Sequence, residues 1–160
     1  MFKLYRRADD GLHYREAWEH DLTVVEHWGV CGDRGETKNY ECSSPQAATQ
    51  KLLDLEKAAQ ESGYEAISGE AHAWLVVEFE ISRLQFAVDP LRFRHRLEGH
   101  LNELTGWLGL GHCDGGSIGS GTLEAACMVV DYGAAAVALE RELANSDFRD
   151  YSRIYQEGSE

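Results

Sequence analysis

Two proline steps constrain this chain more than any other feature. The 160 residues hold only two prolines, and each follows a residue able to cap a helix, in Ser44-Pro45 and Asp89-Pro90. A capping oxygen satisfies a free amide of the first turn, and proline suits the first helical position because it needs no amide there. Two helices are therefore predicted to start at these steps. In the first, Ala48, Leu52, Leu55 and Ala59 form one apolar stripe, and Gly63 is the predicted stop. In the second, Leu97, Leu101, Leu104 and Leu108 share a face.

The segments around these helices read as strands. Residues 2–5, 11–19, 22–28 and 37–42 are rich in aromatic and β-branched side chains, with turns at 8–11 and 29–35. They predict an antiparallel sheet. Beyond a connection at 66–70, residues 73–81 predict a strand with Val77, Phe79 and Ile81 on one face and Glu78 and Glu80 on the other. The apolar run 125–130 follows a glycine-rich stretch at 109–121. Asp131 is placed to cap a third helix over 132–144 that carries Ala135, Val137, Leu139 and Leu143, and 151–155 reads as a last strand. The expected class is α+β, with a small sheet-and-helix domain at 1–68 and a second domain at 69–160. The order strand, helix, strand, strand, helix, strand in the second part is similar to the ferredoxin-like βαββαβ sandwich.

Charge bears on partners. Fifteen basic and 28 acidic residues leave a formal charge of −13, and both parts are acidic, at −5 for residues 1–68 and −8 for 69–160. Nucleic-acid affinity rests largely on neutralising phosphates with Lys and Arg, so this balance argues against such a partner. A basic protein would be steered towards it. The opening residues carry charges at Lys3, Arg6, Arg7, Asp9 and Asp10, with no apolar stretch of leader or membrane-spanning type. The expected location is the cytoplasm, without membrane contact. There Cys31, Cys42, Cys113 and Cys127, which form no Cys-x-x-Cys pair, read as reduced thiols without a metal.

The stretch Val25-Glu26-His27-Trp28-Gly29-Val30-Cys31-Gly32-Asp33-Arg34-Gly35, then a capped helix, then Gly63-Tyr64, resembles a WGR domain. Trp28, Gly29, Gly32, Gly35, Gly63 and Tyr64 carry the resemblance, which covers residues 1–67. Such domains in poly(ADP-ribose) polymerases contribute to recognising DNA breaks, so the resemblance implies a nucleic-acid-binding module as one function. The family's arginine after Trp-Gly is Val30 here, which cannot make charge-assisted contacts to phosphate. The fold is expected to be kept and the nucleic-acid role lost.

The glycines at 109–121 do not fit a nucleotide loop. A helix precedes them and a strand follows, the reverse of the order that a dinucleotide fingerprint needs, and no Gly-Lys-Ser/Thr ending is present. They are expected instead to let a bent strand or hairpin pass close to a helix. His112, Cys113 and Asp114 are chemically tempting for a small enzyme, yet neighbours in a strand point to alternate faces. The weak likeness of this half to ferredoxin-like domains of bacterial immunity-type proteins points elsewhere. The leading expectation is a non-enzymatic immunity protein, without a cofactor, that binds and inhibits a basic toxin domain. Glu78, Glu80, Asp114, Glu124 and Trp74 are its expected contacts.

Overall fold

A computed structural model describes residues 1–84 and 89–158. It is a mixed α/β structure with two antiparallel four-stranded sheets and three helices among the described residues. Strands β1 (Phe2–Ala8), β2 (Gly11–His20), β3 (Thr23–Val30) and β4 (Glu36–Glu41) lie side by side in chain order. Ala8 pairs with Gly11 and His20 with Thr23, so two-residue turns join the first three strands. Gly29 and Val30, expected in the turn, belong to β3, because its pairing with β2 runs on to Tyr14↔Gly29 and His13↔Val30.

Helix α1 (Pro45–Glu61) covers one face of this sheet. Ser44 accepts from the Ala47 amide at 3.1 Å, as the cap requires. At the other end Gly63 takes φ +83°, its amide donates to Gln60, and Tyr64 donates to Ala59. That is the Schellman pattern, in which a left-handed glycine lets the last carbonyls find partners. Ala48 and Ala59 are fully buried against Phe2, Leu4, Ala17, Val24 and Tyr64, with Leu52 and Leu55 half-buried beside them.

The second sheet joins β5 (Ala73–Glu80), β6 (Gly111–Gly119), β7 (Thr122–Val129) and β8 (Arg153–Gln156) in the spatial order β6-β7-β5-β8. Helices α2 (Pro90–Trp107) and α3 (Tyr132–Leu143) cover one face. Leu75, Val77 and Phe79 point towards them, alternating with Trp74, Val76 and Glu78 on the other face. Ile81, expected to continue the inward row, lies in a short 3₁₀ turn, since β5 ends at Glu80. Asp131 caps α3 through the Ala134 amide at 3.0 Å. Val137 is 67% exposed; on this helix the buried line runs through Ala135, Ala138, Leu139 and Leu143, one and two residues off its position.

The two sheets share one apolar core. Tyr5, Leu12, Tyr14 and Cys31 of the first part pack with Leu97, Leu101, Leu108, Leu110, Ala135 and Leu139 of the second. Each fully buried leucine stabilises the fold by about 1.5–3 kcal/mol, so most apolar stabilisation lies in this joint cluster. The turn between β3 and β4 is docked as well. The Gly32 amide donates to Leu108 at 2.8 Å, and Arg141 donates to the Gly32 carbonyl at 2.7 Å.

Inside this junction His27 is fully buried. Its Nε2–H donates to the Arg34 carbonyl at 2.7 Å and lies 2.9 Å from the Tyr14 hydroxyl; Nδ1 is 2.8 Å from Glu16. Burial raises the Glu16 carboxyl, but His27 and Lys3 outweigh it and hold it below the ordinary glutamate value. Trp28 is only half-buried, and its neighbour His27 takes the interior position.

Candidate functional site

The face of the second sheet opposite α2 and α3 carries a groove of about 320 Å³. Its walls include Trp74 from β5, Asp114 and Ser117 from β6, Glu124 from β7, and Tyr155 and Glu157 at the chain's end. Strand alternation places Trp74 on this face, because Leu75 and Val77 are taken by the core.

A bulge in β6 completes the lining. Cys113 pairs with Cys127, but the next pair is Gly115↔Ala126, so Asp114 is an extra residue without a partner position. One extra residue shifts the inward and outward parity of all that follows. Asp114 and Ser117, three apart, thereby both line the groove, where a regular strand would send them to opposite faces. Gly115 has φ +130°. At Gly116 a Cβ would overlap the Glu124 carbonyl, so the strand's close approach to β7 depends on glycine.

Polar contacts fix the floor. The Glu124 carboxylate accepts from Tyr155 Oη at 3.0 Å and from Ser117 Oγ at 3.0 Å, tying β8 and β6 to β7. Burial, then the bond to Glu124, pushes the Tyr155 phenol above its usual value, so it stays a donor. Arg153 stacks over the Tyr155 ring at 4.4 Å from its centroid. Among the described residues of the lining, Asp114, Glu124 and Glu157 supply three carboxylates with no lysine or arginine, and Trp74 and Tyr155 form aromatic walls. Such a surface suits a guanidinium or ammonium group, which gains from both carboxylates and ring faces.

Three of the five expected partner contacts, Trp74, Asp114 and Glu124, thus meet in one groove. Glu78, another expected contact, is engaged within the sheet. It is 7% exposed and holds Arg153 through both carboxylate oxygens, at 3.0 and 2.8 Å, so its charge is spent within the sheet. Glu80, at the end of β5, pairs with Arg83 at 2.8 Å and is not part of the groove wall. Ser117, Tyr155 and Glu157 escaped sequence reading. The tyrosine's predicted strand was the available signal, but its pairing with β5 was not.

His112, Cys113 and Asp114 do not assemble. His112 borders a separate concavity of about 490 Å³ with Lys3, His72 and Asn102, whereas Asp114 lines the acidic groove. Cys113 turns to the helix side, packed against the core. In the glycine turn after β3, Gly35 has φ +66°, and a Cβ there would overlap the Trp28 carbonyl and the Tyr14 hydroxyl. A Cβ at Gly29 would crowd the Gly35 backbone, Gly32 is docked on the carboxyl end of α2 at Leu108, and Tyr64 is buried under Arg6. Among the described residues no cluster of three His, Cys, Asp or Glu side chains is arranged to hold a metal ion. No helix among them is long and apolar enough to cross a membrane. Comparison with protein-family models, curated proteins and solved structures found no match for the chain.

Proposed function

We propose that this chain is a non-enzymatic binding protein, an immunity protein that acts in the cytoplasm by inhibiting a cognate bacterial toxin domain. The acidic groove carries this reading: Trp74, Asp114, Glu124, Tyr155 and Glu157 stand together on a sheet face that no helix covers among the described residues. A basic side chain of the toxin enters between the rings and meets the carboxylates, while the net charge of −13 steers the encounter.

We further propose a ferredoxin-like sandwich for residues 69–160 and a WGR-like fold for residues 1–68. The order β6-β7-β5-β8 supports the first, since a split βαβ unit places its third strand between its first two. The aromatic strand β3 with its glycine turn, and the Gly63-Tyr64 helix stop, support the second. A nucleic-acid role for that turn is the lesser reading, because Gly32 is held against α2 and α3 by Leu108 and Arg141.

The test is co-expression with the product of the adjacent gene. Cells making that product alone should stop growing, and this chain should restore growth and co-purify with it. Growth of those cells without the chain would overturn the proposal, as would full rescue by a chain carrying both Asp114→Lys and Glu124→Lys. Salt-sensitive binding of broken duplex DNA, with no toxin captured, would instead favour the lesser reading.

A further inference from the structure

We propose that Cys113 and Cys127 form a hydroperoxide-reactive thiol pair that closes to a disulfide across β6 and β7. The pairing register carries the proposal. The two residues stand directly opposite each other in antiparallel strands. Opposed residues in such a ladder have Cα atoms about 4.5–5.5 Å apart. Disulfides span about 4.4–6.8 Å between Cα atoms, so the bond can form without parting the strands.

Both thiols also lie on the same side of the sheet. Cys127 is fully buried in the inward row of Leu123, Ala125 and Val129, and Cys113 packs against the same core while staying partly exposed. Cys113 Sγ lies 3.7 Å from the Gly115 carbonyl. The facing Cys127 thiol holds Cys113 below the ordinary thiol value, against opposition from burial and from the Glu98 and Asp114 carboxylates. The facing Cys113 sulfur, then burial, raises Cys127. Burial pushes the Cys31 thiol up to about 12, with its Sγ donating to the Gly109 carbonyl. Cys113 therefore supplies the reachable nucleophile, and Cys127 is the partner waiting behind it.

The chemistry balances with a hydroperoxide as oxidant. The Cys113 thiolate attacks the terminal oxygen; an S–O bond forms and the O–O bond breaks. The departing alkoxide or hydroxide takes a proton and leaves as alcohol or water. Cys127 sulfur then attacks Cys113 sulfur; the S–S bond forms, the S–O bond breaks, and the thiol proton leaves with hydroxide as water. In sum two thiols and one hydroperoxide give one disulfide, one alcohol or water, and one further water. A thiol reductant reverses the bond.

The experiment needs no partner protein. The full chain, reduced and then freed of reductant, is treated with one equivalent of hydrogen peroxide and digested with trypsin after free thiols are blocked. The fragment between Arg96 and Arg141 holds both cysteines. It should lose two hydrogens and take up no blocking group until a reductant is added. In Cys127→Ser, a sulfenic acid should persist at Cys113 and be trapped by dimedone. In Cys113→Ser, peroxide consumption should fall about tenfold or more, following loss of the thiolate. A wild-type fragment that stays fully blocked as two free thiols would overturn the proposal. So would oxidation of Cys31 or Cys42 at the same rate. The wild-type mass measurement stands even where a serine variant fails to fold.

Discussion

Tyr14 of the first sheet and Gly109 of the second part occupy space that only one side chain can fill. A Cβ at position 109 would overlap the tyrosine ring, and Gly109 has φ +66°. Gly109→Ala combines left-handed strain with overpacking and should destabilise the chain by about 3 kcal/mol. Because the ring belongs to the shared core, far-UV circular dichroism and tryptophan fluorescence should report one common fall in urea midpoint. Two separated transitions would show that the sheets unfold independently.

Glu16 predicts a pH dependence. Its folded carboxyl lies below the ordinary value, with burial opposed and outweighed by His27 and Lys3. As pH falls, the unfolded chain takes up this proton first. The stabilisation is therefore complete above the ordinary glutamate value of about 4.3 and is lost as pH falls through the lower folded value. Glu16→Gln should cost about 2 kcal/mol at neutral pH and flatten the acid limb of the stability curve. Denaturant melts from pH 7 down to pH 3 check it.

The helix cap of α3 separates two roles of Asp131. Its carboxylate accepts from Ala134 at 3.0 Å and faces the exposed Arg7 at 3.4 Å. Asp131→Ala should lose about 1 kcal/mol of stability. Asp131→Asn keeps a capping oxygen and gives up only a surface ion pair, so it should stay near wild type in thermal melts.

The groove predicts a rate effect. Asp114 is exposed on the bulge, so Asp114→Lys should leave stability nearly unchanged. Association with a basic partner should slow about tenfold at low salt, and the difference should shrink as salt is added. Stopped-flow mixing at two ionic strengths measures it.

Local punctuation was legible in the sequence, and pairing across distance was not. Ser44, Pro45, Asp89, Pro90 and Asp131 announce helix starts because caps act within one turn. Alternation places Val77 and Phe79 inward, and the structure gathers Trp74, Asp114 and Glu124 into one groove. The ion pair of Glu78 was not legible because its partner Arg153 is 75 residues away, brought opposite by the β5–β8 ladder. The bulge at Asp114 was hidden for a similar reason, since an unpaired residue is defined only by what the neighbouring strand does. His27 carries no local mark at all. Its burial follows from the first sheet having its second face covered by the other half of the chain.

The bulge in β6 has a consequence for how molecules of this protein meet in solution. β6 is a margin of its sheet, nine residues long, and among the described residues no strand pairs with its outer side. An uninterrupted margin of that length would be a template for another copy to extend. The kink at Asp114 breaks the template into two short, differently angled stretches and sets a charge at the break. Stacking of chains edge to edge is thereby resisted by the same residue that helps shape the acidic groove.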